Sequence, residues 1–168
     1  MNAQTEYLLQ DGPAGQIEVA IDRPEGTPLG VAVIAHPHPL HGGTLTNKVV
    51  QTLARAFVLA GWTAVRFNFR GVGRSEGTYD EGRGELDDLL TVVRAQAPDG
   101  PLCLSGFSFG AFVTSHAAAH LQAQRDIQRL FQEPDLLAHG PLRDVQLFRR
   151  KREAEVLGRH LKGRQCAQ

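Results

Sequence analysis

The stretch from Gly106 to Gly110 places a serine between two glycines in the spacing Gly-x-Ser-x-Gly. A short apolar run precedes it and helix-compatible residues follow it, so the pattern lies where a buried strand turns sharply into a helix. There Ser108 would project its hydroxyl from the turn, and the two glycines would let strand and helix approach closely. The amide of Phe109 would point to where an oxyanion forms. The pattern predicts a nucleophile at Ser108 and an oxyanion donor at Phe109, although the same residues could form only a tight turn.

A second polar stretch, residues 36–43, contains three histidines, two prolines and two glycines. Imidazole clusters can bind zinc, but no cysteine or carboxylate accompanies these rings. Because the prolines stiffen the segment, we predict that it shapes the loop and an oxyanion hole, and we predict no metal site.

The third stretch, residues 69–77, is rich in glycine and arginine. Its glycine spacing misses the dinucleotide fingerprint and no P-loop lysine follows, so it predicts a turn lining a cleft. Arg70 could bind a substrate carboxylate or pair with an acidic side chain. The acidic residues after this turn are predicted to form a solvated helix start: Asp80, Glu85, Asp87 and Asp88.

Hydrophobic periodicity predicts the elements that position these stretches. Strands are expected over 5–9, 16–22, 30–35, 63–68 and 101–105, and helices from Asn47 to Gly61, around 86–93 and from about Ser108 to Gln122. Strands that alternate with helices indicate an open parallel sheet with helices on both faces. Ligands of such sheets bind at the carboxyl ends of the strands, so the three polar stretches should converge on one cleft.

Taken together, the motifs at 35–50, 65–77 and 106–110 resemble those of the small bacterial α/β-hydrolases, which are single-domain serine hydrolases without a large lid. The resemblance implies an α/β-hydrolase-like fold, with Ser108 as nucleophile and a second oxyanion donor in the loop after the third strand. Since prolines have no N–H, His38 is the predicted donor, with Leu40 behind it. The substrate would be a small ester, thioester or amide, and no cofactor is implied.

The resemblance covers roughly the first three quarters of the chain. Beyond Leu130 we find neither the further strands nor the acid and histidine loops that the family would supply. We therefore expect an α/β-hydrolase domain over 1–130, lacking the last strands, and a divergent, basic, helical tail over 131–168. The abrupt change in composition suggests a truncated or replaced C-terminus, for example through a frameshift.

The remaining triad residues are not evident. His116 and His120 follow Ser108 on its own helix, and eight residues span about 12 Å, too far for a base. His160 with Asp135 or Asp144 keeps the order serine, acid, histidine.

Two further interpretations stay open. His38 and His41 could replace the missing base, because both lie in a loop near the cleft. Alternatively, the chain is a truncated, catalytically silent homologue that serves as an interaction module or has no function.

Composition sets the remaining expectations. The chain is 42% hydrophobic and 21% charged, with two cysteines and no long apolar run, so we expect a cytoplasmic protein without membrane contact. The basic run 149–152 has acidic neighbours and no interleaved aromatics, so it predicts a solvated helix face and no nucleic-acid binding. Without a following strand, the strand at 101–105 would form an exposed sheet edge through which the chain could form a homo-oligomer.

Overall fold

The computed structural model describes residues 5–132, with side chains up to residue 124. Strands and helices alternate after an initial hairpin, as the sequence predicts. In chain order they are β1 (Glu6–Gly12), β2 (Gly15–Asp22), β3 (Val31–Ala35), α1 (Lys48–Leu59), β4 (Thr63–Phe67), α2 (Arg83–Gln96), β5 (Leu102–Gly106) and α3 (Phe109–Gln132). Helix α3 continues well beyond its predicted end near Gln122.

The strands form one sheet in the order β1-β2-β4-β3-β5. Strand β3 pairs in parallel with both β4 and β5, so that Val33 lies opposite Val65 on one side and opposite Leu104 on the other. Strands β1 and β2 form the predicted antiparallel hairpin, and β2 joins the sheet antiparallel to β4. The predicted α/β sheet with a parallel centre is confirmed. Within residues 5–132, β5 has no neighbour other than β3.

Alternating side chains of the buried strands divide the core between the two faces of the sheet. Val33, Val65 and Phe67 pack with apolar residues of α2 and α3, including Leu89 and Val113. On the opposite face Ile34 and Ala64 pack against Val50 and Ala54 of α1. Because successive residues of a strand point to opposite faces, a continuous apolar run fills both layers.

Helix α1 begins and ends at the residues that the sequence indicates. The side chain of Asn47 accepts a hydrogen bond from the amide of Val49 at 2.9 Å, which satisfies one of the open amides of the first turn. Gly61 adopts φ 83°, a left-handed conformation that few other residues reach without strain, and its amide donates to Val58 at 3.0 Å.

Residues up to Leu121 form one compact unit, and a second unit begins at Gln122. The sheet and its loops all belong to the first unit. His160, Asp135, Asp144 and most of the predicted tail over 131–168 lie outside the described residues, so the boundary at residue 130 stays a prediction. No helix between residues 5 and 132 is both long enough and apolar enough to cross a membrane.

Candidate active site

The turn that carries Ser108 joins the end of β5 to the start of α3. Strand β5 ends at Gly106 and α3 begins at Phe109, so only two residues connect them. Ser108 has φ 55° and is exposed to solvent. A left-handed conformation costs a residue with a Cβ atom about 1–2 kcal/mol. The sharp, strained turn predicted from the Gly-x-Ser-x-Gly pattern is confirmed.

The two glycines of the pattern occupy positions where no side chain fits. A Cβ atom at Gly106 would lie 2.5 Å from the carbonyl carbon of Gly110. A Cβ atom at Gly110 would lie 2.4 Å from the carbonyl oxygen of Ala35 and 2.6 Å from that of His36. The first turn of α3 therefore lies directly against the end of β3. This close approach brings the loop at 36–43 beside Ser108.

The residues predicted to supply the two oxyanion donors, Phe109 and His38, have neighbouring side chains. Phe109 is the first residue of α3, and the first amides of a helix have no acceptor in the helix itself. The carbonyl of His38 accepts hydrogen bonds from the amides of His41 and Gly43, both at 3.1 Å, whereas its own amide donates none within the described residues. The rings of His38 and Phe109 have centroids 4.9 Å apart. Their role as oxyanion donors stays a prediction.

His36 connects two loops through a neutral ring. Its Nδ1 donates to the carbonyl of Pro37 at 2.6 Å, and its Nε2 accepts from the amide of Phe69 at 3.1 Å. The side chain is fully buried, and burial lowers its pKa from 6.5 to about 4, against a smaller opposing effect of the Pro37 hydrogen bond. Since both ring nitrogens are engaged, His36 can neither take a proton from Ser108 nor bind a metal. It ties the loop after β3 to the loop after β4.

The ring of His38 is also held by two contacts. Its Nδ1 accepts from the amide of Leu40 at 3.2 Å, and its Nε2 lies 3.3 Å from the hydroxyl of Tyr79. His41 is exposed, with its ring centroid 4.7 Å from that of His38. In the part of the chain that the structure describes, no imidazole forms a hydrogen bond with the hydroxyl of Ser108. Residues 5–132 therefore show no histidine in hydrogen-bonding position to act as a general base for Ser108.

The structure decides between the two roles considered for Arg70. Its Nε and Nη2 donate to the carboxylate of Asp88 at 3.0 and 2.8 Å, and its backbone amide donates to the same group at 3.1 Å. These hydrogen bonds and the negative charge of Asp88 raise the pKa of Arg70, although burial opposes them. Arg70 is therefore paired with an acidic residue of α2 and is not available to bind a substrate carboxylate.

The prediction of a solvated helix start is wrong for two of its four acidic residues. Glu85 and Asp88 are buried. Glu85 accepts hydrogen bonds from the amides of Asp80 and Gly82 at 2.9 and 2.8 Å, and so caps the beginning of α2. Loop amides that are removed from water need acceptors, and a buried carboxylate supplies two. A glutamate three residues after Gly82 can reach back to the N-cap amide, and this spacing was the available signal.

Asn68 is a structural residue of the site that the sequence analysis missed. Its Oδ1 accepts from the amide of Leu45 at 2.8 Å, and its Nδ2 donates to Glu18 at 2.7 Å. Its carbonyl accepts from the hydroxyl of Ser75 at 2.7 Å. The residue thereby joins the segments that follow β3 and β4 to the hairpin strand β2. A polar residue at the end of a predicted buried strand was the available signal.

A cavity of about 350 Å³ lies beside α1, away from the Ser108 turn. Its wall includes Asp22, Arg66 and Val58. None of the three polar stretches contributes to it.

Comparison with known proteins yields a family and several relatives. Residues 35–133, more than half of the chain, match the family model of the serine aminopeptidases, S33. A solved α/β serine hydrolase homologue from Coxiella burnetii is 50% identical, with a TM-score of 0.64 over 67% of this chain. A solved α/β serine hydrolase without a lid, from Xanthomonas campestris, is 47% identical, with a TM-score of 0.66 over 73% of this chain.

An uncharacterised protein of Rickettsia prowazekii is 38% identical over 107 residues, which are 61% of this chain. The chain spans 45% of that protein, 56% of the Coxiella protein and 59% of the Xanthomonas protein. All three relatives are thus considerably longer than the part that this chain matches.

Proposed function

Since the chain belongs to the family of serine aminopeptidases, S33, among the α/β serine hydrolases, we propose that it is a serine hydrolase of small esters, thioesters or amides. Ser108 is the nucleophile. The proposal is carried by one observation, the exposed Ser108 held at φ 55° between a strand and a helix. A serine that keeps a strained conformation at the carboxyl edge of a sheet is the arrangement that presents a hydroxyl to a substrate.

In the proposed reaction the Oγ atom of Ser108 attacks the carbonyl carbon of the substrate while its proton passes to a general base. The amides of Phe109 and His38 donate hydrogen bonds to the oxygen that becomes negative. The leaving group then departs with a proton, and water hydrolyses the acyl-serine. His160, oriented by Asp135, is the candidate base that keeps the family's chain order, and His38 and His41 are the candidates within the loop.

Labelling with a fluorophosphonate probe tests the proposal. We expect the purified chain to react, with the label on the peptide that contains Ser108, and we expect Ser108→Ala to abolish it. Ser105→Ala is the matched control, because Ser105 is a half-buried serine of the same strand end and should leave labelling intact. Among His160→Asn, His38→Asn and His41→Asn, the variant that lowers the labelling rate by about 100-fold or more identifies the base.

A catalytically silent homologue is the second candidate. One observation favours it: within residues 5–132, no imidazole forms a hydrogen bond with the hydroxyl of Ser108. A folded chain that the probe does not label would reject hydrolysis and support the silent homologue. Circular dichroism of the same sample separates this result from a failure to fold.

A further inference from the structure

A continuous group of aromatic rings begins at Phe109, the residue after Ser108. We call it the ring cluster, and it consists of His38, His41, Tyr79, Phe109, Phe112 and His116. His38 and Phe109 form its centre, with a centroid distance of 4.9 Å. His41 and Tyr79 extend it from His38, at 4.7 and 5.1 Å. Phe112 lies 6.2 Å from Phe109, and His116 lies 4.5 Å from Phe112.

The cluster combines polar imidazole and phenol rings with two phenylalanines, and apolar side chains in and beside it face solvent. Phe112 is 51% exposed, and the large side chains of Phe107 and Leu40 beside the cluster are 44% and 68% exposed. The six residues of the cluster include no carboxylate, lysine or arginine. An exposed apolar surface beside a nucleophile is typical of a binding surface for an apolar ligand.

The rings are held in place by their surroundings. His38 is fixed by its contacts with Leu40 and Tyr79, and Phe109 packs edge-on against the buried Phe69 at 5.7 Å. A Cβ atom at Gly82 would lie 3.0 Å from the ring of Phe112, so α2 begins directly against that ring. A surface that is already ordered loses little conformational entropy when a ligand binds.

The cluster also lies within reach of a substrate bound at Ser108. The amide of Phe112 donates to the carbonyl of Ser108 at 3.1 Å, which places Phe112 one helical turn after the serine. One turn is about 5.4 Å of rise, comparable to a short alkyl chain or a phenyl ring. A group attached to the reacting carbonyl therefore spans the distance from Ser108 to Phe112.

We propose that the ring cluster binds an apolar acyl group, so that the preferred substrates are esters or thioesters of medium-length aliphatic or aromatic acids and not acetyl esters. This inference rests on the proposed function, because it assumes that the acyl carbon is attacked by Ser108. Phe112 is the specificity-determining side chain, since it is the most exposed phenylalanine of the cluster.

The first test compares the hydrolysis of p-nitrophenyl acetate, hexanoate and benzoate, which share a leaving group. Because each methylene that leaves water favours binding, we expect kcat/KM to rise about tenfold from acetate to hexanoate on this half-open surface. Phe112→Ala should reduce that ratio to about threefold or less. Leu59→Ala is the matched control, because Leu59 is 88% exposed on α1, outside the cluster. If the ratio of kcat/KM for hexanoate to that for acetate is the same in Phe112→Ala as in the parent chain, the inference is wrong.

The second test does not depend on catalysis. In the Ser108→Ala protein the same esters stay intact long enough for saturation-transfer NMR at neutral pH. We expect saturation on the hexanoyl chain, competition by benzoate ester, and loss of both when Phe112→Ala is added. If the parent chain hydrolyses none of the esters but the Ser108→Ala protein binds the hexanoyl chain, the proposed function is wrong and the inferred acyl-binding surface is supported. If the parent chain hydrolyses all the esters equally well, the proposed function is supported and the acyl-binding surface is wrong.

Discussion

At the scale of single residues, His36 gives the site a dependence on pH that is separate from catalysis. The pKa of His36 is about 4 in the folded chain, whereas the ordinary value of a histidine, expected in the unfolded chain, is 6.5. The unfolded chain therefore takes up a proton at a higher pH than the folded chain does. The free energy of unfolding should therefore fall as the pH drops from about 6.5 to about 4, by up to about 3 kcal/mol. Urea unfolding at several pH values measures this change.

Two variants isolate the contribution of His36. The difference in unfolding free energy between the parent chain and His36→Asn should shrink as the pH falls through this window. Val50→Ala removes a buried side chain of the core cluster around α1 and should lower stability by the same amount at each pH. If the difference in unfolding free energy between the parent chain and His36→Asn does not change with pH, His36 has the same pKa in the folded and the unfolded chain.

The residues of the site differ in how far the sequence reveals them. Ser108 and its two glycines could be predicted, because the short pattern contains its own geometric reason. His36 and Asn68 could not be assigned, because their partners include backbone amides of other segments that only the folded sheet brings close. Roles that depend on non-local amides leave little trace in the spacing of residues.

At the scale of elements, the pair of Arg70 and Asp88 fixes the loop after β4 to helix α2. The side chains are 13% and 1% exposed. Arg70→Leu leaves the carboxylate of Asp88 buried without its cation, so we expect a loss of about 3 kcal/mol in unfolding free energy, measured by chemical denaturation.

Arg83→Leu is the control for this pair. Arg83 pairs with Asp80 at 3.2 Å, but the two side chains are 75% and 43% exposed. Water screens such a pair, so its loss should cost less than about 1 kcal/mol. Equal effects of the two substitutions would mean that the Arg70 pair contributes no more than a surface contact.

The sequence predicts the elements better than their ends. Buried β-branched runs identify β3 and β4, and Asn47 and Gly61 mark α1, because these signals act locally. The predicted end of α3 near Gln122 is wrong, because the helix continues to Gln132. No glycine or proline occurs between Gly110 and Pro134, so nothing in the backbone chemistry ends the helix there.

At the scale of the whole molecule, the edge of β5 is the feature with consequences for association. Within residues 5–132 this strand pairs only with β3. We propose that a second copy of the chain pairs with this edge, since an unpaired apolar strand offers open hydrogen-bonding groups. Light scattering should then give a mass above 18.3 kDa that increases with concentration.

A charge on the strand tests this proposal. Cys103→Lys places an ammonium group on half-buried β5 and should return the mass to 18.3 kDa, because charged side chains block edge pairing. Leu59→Lys changes an exposed residue at the end of α1 and should leave the assembly intact. A parent chain of 18.3 kDa at all concentrations would exclude self-association.

The place of β3 in the sheet also determines the order in which a nascent chain can fold. The hairpin and β4 leave the ribosome well before β5, so β1, β2, β4 and β3 can pair while the other side of β3 stays open. The serine turn can close only after Gly110 has emerged and approached the carbonyl of Ala35. A newly made chain therefore passes through a stage with an open strand edge and without the closed serine turn. Chaperones would bind the chain at this stage.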